Sequence, residues 1–182
     1  MKKVYLFLAE GFEEVEALTT VDLLRRAGID LKTVSVTGSI EVNGAHGIKV
    51  YADELFEKVD FSIPDMLILP GGNPGWMNLE KHASLMEEID YFANNGKWVA
   101  AICGAPSILG RRGLLKGKKA CVYPGMEGDL LGAKPNERTV NVDGNIITSR
   151  GVGTAIDFSL AIIAELVDKK TAAKISSSIV YN

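Results

Sequence analysis

Trp98-Val99-Ala100-Ala101-Ile102-Cys103-Gly104-Ala105-Pro106 is the stretch on which the fold turns. Its first five residues are apolar at every position, odd and even, as in a strand covered on both faces of a parallel sheet. Pro106 then suits the first position of a helix, where a missing N–H is harmless and the fixed φ is already helical. Only Cys103, Gly104 and Ala105 stand between, small enough for the chain to swing from strand to helix within three residues. Outward from this stretch the same alternation repeats. Val4 to Leu8, Leu31 to Val36 and Met66 to Leu69 are further apolar strands, the last stopped by Pro70-Gly71-Gly72. Helical spacing runs from Glu14 to Ala27, with Val15, Leu18, Val21 and Leu23 or Leu24 as its apolar face and Gly28 as its cap. Helices are also expected over His82 to Asn94, Pro106 to Leu115, Thr154 to Val167 and Thr171 to Ser178. Val42-Asn43-Gly44 with Gly47 to Tyr51 predicts a small hairpin. Ala120-Cys121-Val122, Thr139 to Val142 and Ile146 to Thr148 complete the strands, with Asp143-Gly144 as a hairpin turn. Residues 1–182 therefore read as one α/β domain, an open sandwich whose mostly parallel sheet is covered by helices on both faces.

Composition narrows the function classes. Of 182 residues 47% are apolar and 24% charged, with a net charge of −3, ordinary for a globular protein. Lysines and arginines are scattered among acids and form no basic stripe, so nucleic acid is not an expected partner. No apolar run approaches the roughly 18 residues a membrane span needs. Met1-Lys2-Lys3 followed by Val4 to Ala9 has the outline of a signal peptide, but Glu10, Glu13 and Glu14 interrupt it and no cleavage site follows. The segment reads as a core strand and the protein as cytoplasmic. Cys103 and Cys121 sit too far apart for a thioredoxin-type pair and lack the histidines of a zinc site. Free thiols are expected, with no metal and no cofactor.

Ligands of such sheets bind beyond the carboxyl ends of the strands, and three strand ends are unusual in composition. After Ile102, Cys103 occupies a turn with the geometry of a nucleophile elbow. Amides opening the following helix would favour a thiolate and depress the thiol pKa. The plain alternative is that Cys103 is a small buried hydrophobe, like most free cysteines. After Leu8 comes Glu10-Gly11-Phe12-Glu13-Glu14-Val15-Glu16. Glu10, Glu13 and Glu14 suit a helix N-terminus or a solvated face, whereas Glu16, between Val15 and Ala17, can point inward. Beside a thiolate its carboxyl would be driven toward protonation and could shuttle protons. After Leu69, Gly71 and Gly72 expose amides that could join that of Gly104 around an oxyanion, or simply form a turn. Gly151-Val152-Gly153 lacks the third glycine of a dinucleotide loop. His46 and His82 fall in a loop or hairpin and at a helix start, far from the cysteine in sequence, although folding could bring one of them closer. Phe12, Trp76 and Tyr123 could line a pocket or be ordinary aromatics.

Taken together, Glu13-Glu14-Val15-Glu16, Leu69-Pro70-Gly71-Gly72, Ala101-Ile102-Cys103-Gly104-Ala105-Pro106 and Thr148-Ser149-Arg150-Gly151-Val152-Gly153-Thr154 resemble, in register, the ThiJ/PfpI superfamily. Within it they resemble the branch of the Parkinson-disease-associated protein deglycase and its bacterial relatives, over nearly the whole chain. The resemblance implies a flavodoxin-like three-layer sandwich that forms a homodimer. It implies that Cys103 matches a strained, oxidation-sensitive elbow cysteine and Glu16 the protonated glutamate beside it. Gly71, Gly72 and Gly104 match the amides around the substrate oxygen. The activity implied is a cysteine-dependent, cofactor-free glyoxalase or deglycase acting on small dicarbonyls or their adducts. The alternative is a redox-responsive stress protein or chaperone sensing oxidants through Cys103. A class I amidotransferase-like hydrolase would need a histidine and glutamate paired late in the chain, which are absent. Two departures stand out: Tyr123 precedes Pro124 where many relatives carry a histidine, and His46 stands where many carry an arginine. The first argues against a protease-like Cys–His mechanism, and the second against a strong anion site at the hairpin.

Overall fold

Residues 1–181 are described by a computed structural model. In chain order the elements are β1 (Lys3–Leu8), α1 (Glu14–Arg26), β2 (Asp30–Ser35), β3 (Glu41–Asn43), β4 (Lys49–Tyr51), β5 (Glu54–Leu55), β6 (Met66–Leu69), α2 (Gly75–Glu80), α3 (Ala83–Asn94), β7 (Trp98–Ile102), α4 (Pro106–Arg111), β8 (Lys119–Ala120), β9 (Lys134–Pro135), β10 (Val140–Asp143), β11 (Ile146–Ser149), α5 (Ala155–Leu166) and α6 (Lys169–Ser178). Seven strands form the main sheet in the order β10-β11-β7-β6-β1-β2-β5. All neighbours pair in parallel except the β10–β11 hairpin. This is the flavodoxin-like α/β arrangement, with two short strands at its edges.

The pleat explains why uninterrupted apolar runs were required. Val4, Leu6, Leu8, Met66, Ile68, Ala100 and Ile102 face a core closed by α1, α5 and α6. Their neighbours Tyr5, Phe7, Leu67, Leu69, Val99 and Ala101 face the opposite core, which receives Leu85, Met86, Ile89 and Phe92 of α3 and Ile108 and Leu109 of α4. Each strand thus serves both layers with a side-chain period of two. No helix among the described residues is long and apolar enough to cross a membrane.

Four local expectations need correction. In α1 the buried positions are Glu14, Glu16, Ala17, Thr20, Val21, Leu23 and Leu24, while Val15 and Leu18 stay 47% and 39% exposed. Glu16 lies on the sheet-facing side with Ala17, Thr20 and Leu24, while Glu14 points elsewhere and is buried by the β3–β4 hairpin. The helix from Pro106 is α-helical only to Arg111, ending at Arg112 and Gly113 with φ +74°. The segment from Ala120 to Val122 is not a sheet strand: only Lys119–Ala120 pairs, with Lys134–Pro135, in a separate two-stranded piece. Its buried Cys121 and Val122 fill the core as irregular chain. Phe12 is fully buried and belongs to the core beneath α1 instead of a pocket wall. The helix α2 leaves no mark in the sequence pattern, because its six residues are too few to display a helical period.

β1 lies mid-sheet, with β2 on one side and β6 on the other, so the connections leaving β1 and β6 diverge. A crevice opens at such a switch point. Glu13 N–H donates to Gly71 O (3.0 Å) and Gly75 N–H to Gly11 O (3.0 Å), stitching the two diverging loops together above the sheet.

Candidate active site

Cys103 follows β7 with φ +65°, one of two non-glycine residues in the left-handed region among the described residues. Such a conformation costs about 1–3 kcal/mol and persists only where surrounding bonds enforce it. Here Cys103 N–H donates to Ser149 O at 3.1 Å, and Cys103 O accepts from Tyr123 N–H at 2.8 Å. The residue is clamped between the ends of β11 and the loop after β8, with its sulfur directed at the crevice. Gly104 is required by the neighbouring indole, since a Cβ there would lie 2.6 Å from Trp76 Nε1.

Glu16 reaches the sulfur from α1. Its side chain is fully buried; Oε2 accepts from Gly71 N–H at 2.8 Å, and Oε1 has no hydrogen-bond partner. Gly71 is wedged between the two reactive groups: a Cβ there would sit 2.5 Å from Cys103 Cβ and 2.7 Å from Glu16 Oε2. Gly72, at φ +95°, passes so close to Gly11 and Glu13 that no side chain fits.

Burial is the main force on both groups. It pushes the Glu16 carboxyl up to about 7, against hydrogen bonds from Gly71 and Cys103 and with help from the Glu13 charge. It pushes the Cys103 thiol up to about 12, reinforced by the charge and hydrogen bond of Glu16 and opposed by the Gly72 and Gly104 amides. The expected depression of the thiol pKa is therefore overturned while Glu16 is ionised. The helix behind Cys103 is only six residues long, and a carboxylate in a poorly solvated site outweighs it. Between those limits the pair holds one proton. Burial and the Glu16 charge keep that proton on sulfur, and the Gly72 and Gly104 amides work against them, lowering the cost of moving it to Glu16 and leaving the charge on sulfur.

The three glycines do not play one role. Gly72 and Gly104 direct their amides at the sulfur, whereas the Gly71 amide is spent on Glu16 and is not open to a substrate oxygen.

Cys103 and Glu16 lie in the wall of a cleft of about 1040 Å³, also lined by Trp76, Tyr123, Arg150 and His46. Trp76 rests between Gly104 and the Arg111 guanidinium, 5.2 Å from its ring centroid. Tyr123, half exposed, stands at the rim. Arg150 has no carboxylate partner among the described residues. The Thr154 hydroxyl shapes its turn by accepting from the amides of Arg150 (3.2 Å) and Gly151 (3.1 Å).

His46 was remote from the cysteine in sequence, yet the β3–β4 hairpin carries it to the cleft mouth. There Glu14, far from being a solvated surface acid, is buried. It accepts from His46 N–H at 2.7 Å and shares a 2.8 Å hydrogen bond with His46 Nδ1. No local pattern announces this contact, which spans 32 residues. Among the described residues, Glu13, Glu14 and His46 form the one grouping of metal-type donors, all within 4.8 Å of one another. The Glu14 and His46 atoms in it are already bonded to each other, so it is a hydrogen-bonded brace. Cys121 is buried, and its thiol donates to Thr148 O at 3.3 Å, away from the cleft lining.

Comparison with known proteins agrees with this geometry. The DJ-1/PfpI family model matches residues 2–165. Protein DJ-1 homolog B of Arabidopsis thaliana is 40% identical over 181 residues, 98% of this chain but 41% of its own length. The chain thus spans less than half of that relative. Protein dj-1beta of Drosophila melanogaster is 32% identical over 185 residues, covering 100% of this chain and 99% of its own. Among solved structures, a DJ-1 superfamily protein of Salmonella typhimurium, studied as a cysteine-to-alanine mutant, superposes with a TM-score of 0.95 at 33% identity over the whole of both chains. Oxidized DJ-1 of Toxoplasma gondii gives 0.95 at 35% identity, covering 100% of this chain and 99% of its own. Fold, coverage and identity agree, and the chain belongs to the DJ-1/PfpI family.

Proposed function

We propose that this protein is a cysteine-dependent glyoxalase or deglycase that converts small α-oxoaldehydes, or their adducts on amines and thiols, to 2-hydroxy acids. The observation that carries this reading is the Cys103–Glu16 pair: a clamped sulfur and a carboxyl with one unpartnered oxygen, holding one proton between them in a cleft wall.

With the proton on Glu16, the charge that adds to burial in raising the thiol pKa is gone. The thiolate then has only burial against it and the Gly72 and Gly104 amides for it. Sulfur adds to the aldehyde carbon, and the carbonyl oxygen takes up the proton held by the pair, giving a hemithioacetal. The Glu16 carboxylate, whose pKa near 7 suits a base at neutral pH, removes the proton from that carbon and returns it to the adjacent one, while the hydroxyl proton passes from the first oxygen to the second. The first carbon is oxidised and the second reduced, so no external oxidant enters and a thioester of the 2-hydroxy acid stands on Cys103. Water cleaves it, releasing the acid and the thiol. The test is lactate formation from methylglyoxal in buffer free of amines and thiols. Turnover absent in Cys103→Ala and reduced about 10²–10⁴-fold in Glu16→Gln is the expected result. Wild type equal to the protein-free blank would sink the reading.

A second reading rests on the same orphan oxygen. Peroxide would oxidise the Cys103 thiolate to sulfenic and then sulfinic acid, whose oxygens would meet the Gly72 and Gly104 amides and a protonated Glu16 Oε1. Mass spectrometry of a peroxide titration tests it: a sulfinate that halts at one stoichiometric step supports sensing, while progression to sulfonate or indifference to peroxide rejects it.

A further inference from the structure

A second acid–base unit faces the cleft, and the chemistry above does not use it. Glu14 lies beneath the β3–β4 hairpin with its carboxylate fixed on both oxygens. Oε1 accepts from the N–H of His46 (2.7 Å) and of Ile48 (3.4 Å), and Oε2 meets His46 Nδ1 at 2.8 Å. Gly44 makes room for it, since a Cβ there would collide with the carboxylate at Oε1. Burial alone would raise the Glu14 pKa, but the hydrogen bonds from the His46 side chain, its own amide and the amides of His46 and Ile48 bring it below the usual value. Glu14 is therefore an ionised anchor.

The imidazole it holds is 68% exposed and lines the same cleft as Cys103 and Glu16. A ring bound to a carboxylate through Nδ1 is fixed as the tautomer that carries hydrogen on Nδ1, leaving Nε2 as a free base. This is the carboxylate–imidazole arrangement that orients a general base. The charges acting on the ring are Glu14 and, 3.6 Å from Nδ1, Glu13; both raise its pKa, the Glu14 hydrogen bond most. On the hairpin itself Lys49 is paired with Glu41, and Arg150 lines the same cleft.

We propose that His46, positioned by Glu14, is the base that activates water to cleave the acyl group from Cys103. This deepens the glyoxalase reading and rests on it for the identity of the acyl group. The division of labour follows the geometry: Glu16, without solvent access, moves the carbon-bound proton, and His46, at the wet mouth, handles water. As the water oxygen bonds to the thioester carbon, Nε2 takes its proton. Collapse of the tetrahedral adduct breaks the C–S bond, releasing the 2-hydroxy acid and leaving thiolate. The proton on Nε2 then returns through solvent water to the thiolate–Glu16 pair. A histidine from the hairpin thus does work for which Tyr123 offers no imidazole.

The experiment has two arms, both on wild type, His46→Gln and Glu14→Gln, with folding checked by circular dichroism. In the first, methylglyoxal turnover is followed from about pH 5 to about pH 9 while rapid quenching and intact-mass analysis report acyl groups on Cys103. His46→Gln is expected to lose at least about tenfold in kcat and to accumulate the hydroxyacyl adduct, which wild type does not. Glu14→Gln, by weakening the hydrogen bond and removing the charge with which Glu14 raises the His46 pKa, is expected to shift the rising limb of the pH profile to lower pH, an effect that a merely structural carboxylate would not produce. In the second arm, Cys103 is acylated directly with p-nitrophenyl acetate and its deacylation is timed. Slower deacylation in His46→Gln supports the proposal even if methylglyoxal is not turned over, in which case the glyoxalase reading alone falls. Equal deacylation rates in wild type and His46→Gln overturn it.

Discussion

Glu14 and Glu16 are two positions apart in the first turns of α1, both buried, and they end in opposite protonation regimes. Residues two apart on a helix point in nearly opposite directions. Glu14 is thus sent under the β3–β4 hairpin, and Glu16 toward the strand ends. On the hairpin side three N–H groups converge on the carboxylate, and its pKa falls despite burial. On the sheet side a single amide reaches Glu16, one oxygen is left bare, and burial drives the pKa to about 7. Burial is common to the two; the number of donors is not. What distinguishes an anchor from a proton carrier here is how many hydrogens each environment offers the ionised form.

The largest expected effect would break this contrast at its root. Glu16→Gln keeps the shape and removes the proton, so formation of the hydroxyacyl adduct on Cys103 should fall about 10²–10⁴-fold. Glu14→Gln should leave that first half-reaction nearly intact. Single-turnover kinetics with methylglyoxal read both. Should Glu14→Gln lose adduct formation as fully as Glu16→Gln, the two carboxylates would not be separate machines.

Next in size is a pair of opposite pH slopes in stability. Glu16 holds its proton more tightly folded than unfolded. Its contribution is complete below 4.5 and disappears as pH rises through about 7, a change of about 3 kcal/mol. Glu14 runs the other way: its pKa is lower in the fold, so its contribution is present above 4.5 and lost as pH falls. Urea unfolding should show Glu16→Gln gaining on wild type as pH rises from about 4 to about 8. Glu14→Gln should be at its greatest disadvantage at the alkaline end. Parallel curves for the two variants would contradict the assignment.

A smaller effect comes from the glycine that faces each carboxylate. Gly71→Ala would press on Cys103 and Glu16, and Gly44→Ala on Glu14; each should cost about 1–3 kcal/mol in urea unfolding. The two should differ in what they do to the reaction. Gly71→Ala is expected to block adduct formation, and Gly44→Ala to slow adduct hydrolysis by loosening the hairpin that holds His46. Identical kinetic defects would mean that the two regions move as one.

Much of this was legible in the sequence, for reasons that differ by region. The strands at Val4, Met66 and Trp98 could be read because burial on both faces demands apolar residues at every position, and the elbow because only small residues fit between Ile102 and Pro106. Glu16 could be singled out by its apolar neighbours. The buried positions of α1 could not be read, because Glu14 and Glu16 are among them while the apolar Val15 and Leu18 are exposed. The short strand at Lys119–Ala120 was overextended because Cys121 and Val122 are buried like strand residues without pairing as one. The helix dipole is a poor guide to the thiol pKa because burial, which only the whole fold creates, raises it most, and the charge of Glu16, 87 residues earlier in the chain, adds to that. The role of His46 was not legible for the same reason: Glu14 and Gly44 acquire meaning only when the hairpin folds onto α1.

That contact also offers the finest test of the contrast, because it can be read without any substrate. With Glu14 ionised, the His46 imidazolium is stabilised first by its hydrogen bond to Glu14 and then by the charges of Glu13 and Glu14, so its pKa stands above 6.5. Because the ring is mostly solvent-exposed, screening keeps the effect small. NMR titration of the ring protons should show the pKa falling toward 6.5 in Glu14→Gln, and falling less in Glu13→Gln, whose carboxylate lies farther away at 3.6 Å. Glu16→Gln should leave it unmoved, since neither residue is among the other's electrostatic partners. A His46 pKa that followed Glu16 instead of Glu14 would join the mouth of the cleft to its floor electrostatically, and the separation of the two proton-handling groups would be lost.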